Sequence, residues 1–180
     1  MTTHFVWFRN DLRITDNRAL HAACEDPHAR VIGLFIATPE QWKQHEMAPR
    51  QAMFIYQHLQ ALQYALAERG IALHYHQCND FADSVDWLKD FCKTENVDAL
   101  FYNKQYEINE RQRDDAAQIA VGESVISHAF DDSLLLPPGS VTTGNNEMYK
   151  VYTPFRRAFL SRLTESDSRS LPAPQARQHA

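Results

Sequence analysis

The stretch Arg30-Val-Ile-Gly-Leu-Phe-Ile36 begins with one arginine and then continues without a polar residue. A strand with one solvent-exposed face alternates apolar and polar residues, whereas a strand that is covered on both faces does not need to alternate. The stretch therefore predicts a central strand of a parallel sheet that has helices on both faces.

Four further runs have the length and the apolar character of strands, namely residues 4–8, 71–76, 97–102 and the weaker 124–130. Helical patterns separate these runs, and such strand–helix alternation is typical of βαβ units. We expect an α/β fold with a doubly wound sheet of five parallel strands and helices on both faces. The corresponding strand order is 3-2-1-4-5.

Apolar residues spaced by four, three and four positions predict a helix over residues 49–69, with Gly70 as its left-handed stop. The same spacing predicts a second helix with an apolar face of Phe81, Val85, Leu88 and Cys92. Thr38-Pro39-Glu40-Gln41 predicts a capping box with proline at the first helical position. Asp16 or Asn17 can cap a shorter helix.

The composition excludes several classes of protein. The chain has 180 residues and a formal net charge of −5, which disfavours a stand-alone nucleic-acid-binding protein. We expect no membrane span and no secretory signal, because no long apolar window exists and the first residues lack a cleavage pattern. Cys24, Cys78 and Cys92 have no CxxC spacing, which favours reduced thiols and a cytoplasmic protein. We also expect a monomer.

Two common site motifs are missing from the sequence. Its five glycines never form a GxG pattern, so neither a dinucleotide fingerprint nor a P-loop is present. His74 and His76 lie on one face of a predicted strand, but no third metal ligand is recognisable near them. We therefore expect no metal site.

The loop after the first predicted strand is dense in charged and polar residues. A structural interpretation has Arg9 and Arg13 pairing with Asp11 and Asp16, which would hold the loop in one shape. The other polar segment follows the fourth strand and opens the next helix. In open α/β sheets a ligand binds beyond the carboxyl ends of the strands, at the switch in strand order, which here lies between the first and fourth strands.

That placement makes Asn109 and Glu110 candidates for ligand binding, because their segment flanks the expected crevice. A purely structural alternative stays open. Carboxylates in a first helical turn complement the helix dipole, and Glu107 with Arg111 forms an ordinary i,i+4 pair.

The alternation of predicted strands and helices ends after residue 135. Residues 1–135 form the predicted α/β domain, and residues 136–163 form a proline- and glycine-punctuated excursion with a final helix that begins near Thr153-Pro154. Residues 164–180 are polar and predict a disordered tail or the start of an interdomain linker. We therefore expect the chain to be part of a longer protein.

Three segments together resemble the DNA photolyase/cryptochrome family. They are Val6-Trp-Phe-Arg-Asn-Asp-Leu-Arg-Ile-Thr-Asp-Asn-Arg-Ala-Leu20, Phe101-Tyr-Asn-Lys-Gln-Tyr-Glu-Ile-Asn-Glu-Arg111 and Leu136-Pro-Pro-Gly-Ser-Val-Thr-Thr-Gly-Asn-Asn-Glu-Met-Tyr-Lys-Val-Tyr-Thr-Pro-Phe155. The resemblance covers residues 3–163 and is greatest to bacterial cyclobutane pyrimidine dimer photolyases that use a folate antenna. It implies a Rossmann-like N-terminal antenna domain, followed in the parent enzyme by a helical domain that binds FAD and DNA.

The resemblance also implies an activity for that parent. A 5,10-methenyltetrahydrofolate antenna absorbs light and passes excitation to reduced FAD, which donates an electron to the thymine dimer in damaged DNA. The present chain would bind the antenna and contact its own C-terminal FAD-binding domain. It would not catalyse repair, and no catalytic residue is expected in it.

The resemblance implies roles for three residues. Glu110 would accept two hydrogen bonds from the pterin ring, Asn109 would bind another polar edge, and His45 would line the pocket. Trp42 or Tyr106 could supply a flat wall. Because the second domain supplies part of the family's pocket, we expect weak folate binding by this chain alone.

Other functions stay open at this point. One is a cryptochrome-type photoreceptor fragment, and another is a nucleotide-binding Rossmann-like module without a glycine-rich loop. A third is an interaction module whose polar loops dock a partner domain. Arg156, Arg157 and Arg162 form a basic cluster that we interpret as a solvated or interdomain face.

Overall fold

The computed structural model describes residues 1–177. Five parallel strands form one sheet in the order β3-β2-β1-β4-β5, as predicted. The strands are β1 Thr3–Phe8, β2 Arg30–Ala37, β3 Ala72–Gln77, β4 Ala99–Asn103 and β5 Ile126–Phe130.

Helices connect the strands and cover both faces of the sheet. They are α1 Arg18–Ala23, α2 Pro39–Gln44, α3 Pro49–Ala67, α4 Phe81–Thr94, α5 Ile108–Val121 and α6 Tyr152–Arg162, with short 3-10 turns at Gly122–Ser124 and Glu165–Ser168. The predicted α/β, Rossmann-like doubly wound class is confirmed. None of the helices within residues 1–177 has the length and apolar character needed to cross a bilayer.

Alternate residues of the central strands enter two separate cores, because successive side chains of a strand point to opposite faces. Val6 and Phe8 of β1 pack on the side of α1 and α3, together with Leu62 and Leu66. Phe5 and Trp7 of β1 point to the opposite face and contribute to the other core, on the side of α4 and α5, which also includes Ile32, Leu34, Leu88 and Leu100. Both faces of the central strands are therefore buried, which explains why β2 reads as an unbroken apolar run.

Gly33 allows α3 to approach the sheet closely. A Cβ atom at this position would lie 3.0 Å from Leu73 Cδ1 and 3.2 Å from both Leu66 Cδ1 and Phe8 Cε2. The predicted role of Gly70 as a left-handed stop is confirmed, since its φ is 69° just after α3.

The caps of the helices differ in part from expectation. Asn17 caps α1, and its side chain accepts from the Leu20 backbone N–H at 3.0 Å. The predicted capping box at Thr38 is wrong, because Thr38 makes no side-chain cap bond. Its partner Gln41 instead accepts a hydrogen bond from the Phe81 backbone N–H at 2.9 Å, which ties α2 to the start of α4.

The chain beyond β5 returns along the α/β domain. No residue of α6 is fully buried. Farther on, the Asp16 backbone N–H donates to the backbone carbonyl of Leu171 at 2.8 Å. The Arg177 backbone N–H donates to the backbone carbonyl of Arg69 at 2.9 Å. The division at residues 135 and 163 and the tail over 164–180 stay predictions, and residues 178–180 lie outside the described part of the chain.

Candidate functional site

Asn103, the last residue of β4, joins the two polar segments at the carboxyl end of the sheet. Its amide nitrogen donates to Asp11 Oδ2 at 2.7 Å and to Asn17 Oδ1 at 2.9 Å. Its amide oxygen accepts from the Ala19 backbone N–H at 3.0 Å. The loop after β1 is therefore fixed to the end of β4 through a buried side chain.

A second buried cluster combines two guanidinium groups with one carboxylate. Asp114 accepts from Arg113 at 2.7 Å and from Arg9 at 3.3 Å, and all three residues are buried. The Arg9 guanidinium lies 4.9 Å from the ring centre of Trp7 and 4.8 Å from that of Tyr102. Burial lowers the pKa of Arg9 to about 10, although the nearby Asp114 charge opposes this shift.

The predicted ion pairs of the loop are wrong. The Arg9 side chain pairs with Asp114, and Arg13 pairs with Asp132, so that both partners come from distant parts of the sequence. Asp11 bonds the backbone N–H of Arg9 at 2.8 Å, and the carbonyl of Asp16 accepts from Arg13. Local spacing could not reveal the distant carboxylates, because the fold alone brings them to the loop.

A cavity of about 310 Å³ lies beyond the carboxyl ends of β1 and β2, between α2 and the first turns of α3, α4 and α5. We call it the α2–α5 cavity. Its lining residues come from all of these elements and include Arg9, Asn10, Phe35, Trp42, His45, Met47, Phe81, Gln105, Glu110 and Arg113. A mixture of aromatic walls and a few polar groups is typical of small-molecule sites.

The structure brings two of the three predicted site residues together. Glu110, half-buried, and His45, exposed, both line the α2–α5 cavity, whereas Asn109 is exposed and does not line it. Trp42 lines the cavity as well. Tyr106 does not line it; its hydroxyl donates to Asp131 at 2.9 Å, and both residues line a neighbouring pocket.

Glu110 is available to a ligand. Among residues 1–177, the Glu110 carboxylate makes no hydrogen bond and no salt bridge. The adjacent Arg113, by contrast, is already bound to Asp114 and donates to Gln105 Oε1 at 2.8 Å. Glu110 thus gives the cavity wall a free carboxylate acceptor beside a fixed, paired cation.

Sequence reasoning missed Arg113 and Gln105. Arg113 follows Glu110 by three positions and therefore lies on the same face of α5. This spacing was a usable signal, but a charged residue in a helix is ordinarily assigned to the solvent side. Gln105 carried no signal, since its role depends on Arg113.

The loop between β4 and α5 is braced at its other side by Asp131. Lys104 Nζ and the Tyr106 hydroxyl each lie 2.9 Å from this carboxylate. Burial, together with the hydrogen bond to Asp131, raises the pKa of Tyr106 to about 12. Burial acts to raise the pKa of Asp131, but the hydrogen bonds from Lys104 and Tyr106 outweigh it and the pKa is lowered. This bracing fixes the segment that carries Gln105 and Glu110.

The fold and the α2–α5 cavity together define a Rossmann-like domain with a cavity beyond the carboxyl ends of its strands, where ligands bind in open α/β sheets. Comparison with known proteins identifies the family. The model of the DNA photolyase family matches residues 4–175, and the chain belongs to that family.

The relatives are longer than this chain. The deoxyribodipyrimidine photo-lyases of Salmonella typhimurium and Escherichia coli are 56% and 53% identical to it over 177 residues. These alignments cover 98% of this chain but 37% of each relative, so the chain spans little more than a third of their length.

Two solved structures share the fold. A Synechocystis cryptochrome has a TM-score of 0.81 at 20% identity, covering 98% of this chain and 37% of its own. A class III photolyase from Agrobacterium tumefaciens has a TM-score of 0.74 at 24% identity, covering 99% of this chain and 35% of its own.

Proposed function

We propose that this chain is the antenna-binding domain of a deoxyribodipyrimidine photolyase and that the α2–α5 cavity holds 5,10-methenyltetrahydrofolate. The observation that carries the proposal is the Glu110 carboxylate, which lines the cavity without a protein partner among residues 1–177. The identity to photolyases over nearly the whole chain supports the same conclusion.

The chemistry of the cavity fits a pterin ring. The ring presents an N3–H and a 2-amino group side by side, and one carboxylate can accept both hydrogen bonds. Trp42 offers a flat indole at the same cavity, and His45 stands at its margin. Asn109, one residue before Glu110 and exposed, would contact the part of the ligand that projects from the cavity.

The longer protein would carry the reaction. Bound methenyltetrahydrofolate supplies absorption of near-UV and blue light, for use by reduced FAD in a C-terminal domain. Repair of cyclobutane pyrimidine dimers, FAD binding and contact with damaged DNA thus belong to the parent enzyme, which we place in the cytoplasm as a monomer. The residues of the present chain bind and orient the antenna.

Exposed apolar residues support contact with that C-terminal domain. Met148, Val151, Tyr152 and Leu160 lie within 13 positions around α6 and are 83%, 61%, 72% and 51% exposed. A cluster of large exposed apolar residues marks an interaction surface. The basic residues of α6 lie in the same segment, which suits an interdomain face better than a separate DNA site.

The role of Glu110 is tested with the purified chain by titration with 5,10-methenyltetrahydrofolate, followed through the ligand's absorbance. We expect Glu110→Gln to weaken binding about ten- to a hundredfold, because it removes a charge-assisted pair of hydrogen bonds. Glu123→Gln is the control, because Glu123 is exposed in the 3-10 turn after α5 and does not line the cavity. This variant should bind like the wild type. Equal affinities of all three proteins would contradict the proposal.

A further inference from the structure

A larger groove continues from the α2–α5 cavity. It has a volume of about 770 Å³ and lies between α3 and the loop after β1. We call it the α3 groove. Arg9, Asn10, Met47, Gln51 and Ile55 line both the cavity and the groove, so the two spaces are contiguous.

The size of the cavity requires such a continuation. A cavity of about 310 Å³ is at the lower end of the range for small-molecule sites, which runs from about 300 to 1,000 Å³. A folate consists of a pterin ring, a benzoyl ring and a glutamate. With the pterin ring beside Glu110, the other two parts must leave the cavity.

The walls of the α3 groove suit a flat ring followed by a negative charge. Phe54 is 60% exposed and lies beside Leu12 and Ile55 in the lining. The Phe54 ring also packs against His58, with the ring centroids 4.0 Å apart. These side chains offer an aromatic and apolar surface on which a benzoyl ring can lie.

The charges of the groove favour a carboxylate. Arg50 lines it, and among residues 1–177 Arg50 makes no salt bridge. The one acidic lining residue, Asp11, is already hydrogen-bonded to the Arg9 backbone N–H and to the side chains of Asn17 and Asn103. The groove thus has a free guanidinium and no free carboxylate.

Another space next to the cavity has the opposite character. A pocket of about 230 Å³ shares Asn10 and Gln105 with the cavity. Its two cations, Arg13 and Lys104, are already paired with Asp132 and Asp131, and Glu107 adds a further carboxylate to its lining. A negatively charged arm would be repelled there and would follow the α3 groove instead.

We propose that the α3 groove is a second subsite, which binds the aminobenzoyl-glutamate arm of the antenna and pairs one of its carboxylates with Arg50. This inference rests on the proposed function, because the pterin ring must occupy the cavity next to Glu110. It assigns to Arg50 and Phe54 a role in selecting ligands that end in a carboxylate.

The test compares two ligands that share a chromophore. The purified chain is titrated with 5,10-methenyltetrahydrofolate and with 5,10-methenyltetrahydropteroate, which lacks the glutamate. We expect the folate to bind about fivefold more tightly, the magnitude of one surface ion pair, and the ratio to fall towards one in 0.5 M NaCl. Arg50→Gln should abolish the preference, whereas Arg157→Gln on α6 should retain it.

The outcomes separate this inference from the proposed function. If both ligands bind with equal affinity and Glu110→Gln weakens both, the pterin site stands and the α3 subsite is refuted. A preference for folate that survives in Arg50→Gln also refutes it. If the wild-type chain binds neither ligand at millimolar concentration, both proposals fall. Loss of the preference in Arg50→Gln, with pteroate binding unchanged, supports the subsite.

Discussion

Asp114 balances the charge of two arginines that line the α2–α5 cavity. It bonds both Arg9 and Arg113, and the three side chains are buried together. Two guanidinium groups without this carboxylate would face each other in a region with little water. Removing one partner of a buried ion pair therefore lowers the free energy of unfolding far more than removing a surface charge does.

We expect Asp114→Asn to lower the free energy of unfolding by about 3 kcal/mol or more, because it leaves two buried cations uncompensated. Urea denaturation followed by circular dichroism measures the change. Asp115→Asn, the exposed neighbour on α5, should change the same quantity by less than about 0.5 kcal/mol. Similar small losses in both variants would show that the Asp114 charge is dispensable.

Cys92 gives a prediction on alkaline stability. Burial raises the pKa of its thiol from 9.0 to about 12. The folded protein therefore keeps a proton that the unfolded chain loses. The resulting contribution to stability is fully present below pH 9 and is lost as the pH rises towards 12.

Consequently, the free-energy difference between the wild type and Cys92→Ala should narrow above pH 9, by up to about 1.4 kcal/mol per pH unit. Urea unfolding of both proteins between pH 7 and pH 10.5 measures this. Parallel stability curves over that range would mean that the thiol ionises equally in both states.

At the scale of single residues, the sequence allowed part of the site to be predicted. Glu110 and His45 are indeed brought to one cavity, and Asn17 is the helix cap. The partners of Arg9 and Arg13 could not be predicted, because they lie 105 and 119 positions away. Side-chain networks of this kind depend on which loops the completed sheet places side by side.

At the scale of elements, the order of the sheet was predictable for a physical reason. Parallel strands that are covered on both faces must be apolar throughout, and their connections must be helical and right-handed. The capping of α2 was not predictable, because Gln41 could bond either its own helix or a neighbour. In the folded protein the start of α4 offers it an otherwise unpaired backbone N–H.

The contact between α3 and the sheet depends on Gly33. We expect Gly33→Ala to destabilise the fold by about 1–2 kcal/mol, because the added methyl group would press on Leu66 and Leu73, which the packed core holds in place. Thermal or urea unfolding measures the loss. Gly144→Ala is the matched control, since a Cβ atom there meets nothing within 4 Å. A stable Gly33→Ala protein would mean that α3 can shift without cost.

At the scale of the whole molecule, Arg177 fastens the last described residues to the α/β domain. Its guanidinium donates to the backbone carbonyls of Cys24 at 3.0 Å and of Ala29 at 2.9 Å, and also to that of Asp26. One side chain thus satisfies three carbonyls in the turn between α1 and β2. Removing it exposes these groups to water.

We expect Arg177→Ala to lower the free energy of unfolding by about 1–2 kcal/mol and to raise amide hydrogen exchange in the segment after α1. Arg169→Ala, an exposed arginine earlier in the same stretch, is the control. Folate affinity should stay the same in both variants, because Arg177 lies away from the α2–α5 cavity. Unchanged exchange in Arg177→Ala would show that the contacts contribute nothing to local stability.

The course of this last segment has a practical consequence. Leu171 lies beside the loop that follows β1, whereas Arg177 lies where β2 begins and α3 has ended, which is the opposite pole of the sheet from the cavity. A fluorescent label or a surface anchor attached after Arg177 would therefore be joined to the protein at the end of the sheet opposite the cavity. Immobilised in this way, the protein would keep the α2–α5 cavity turned towards the sample.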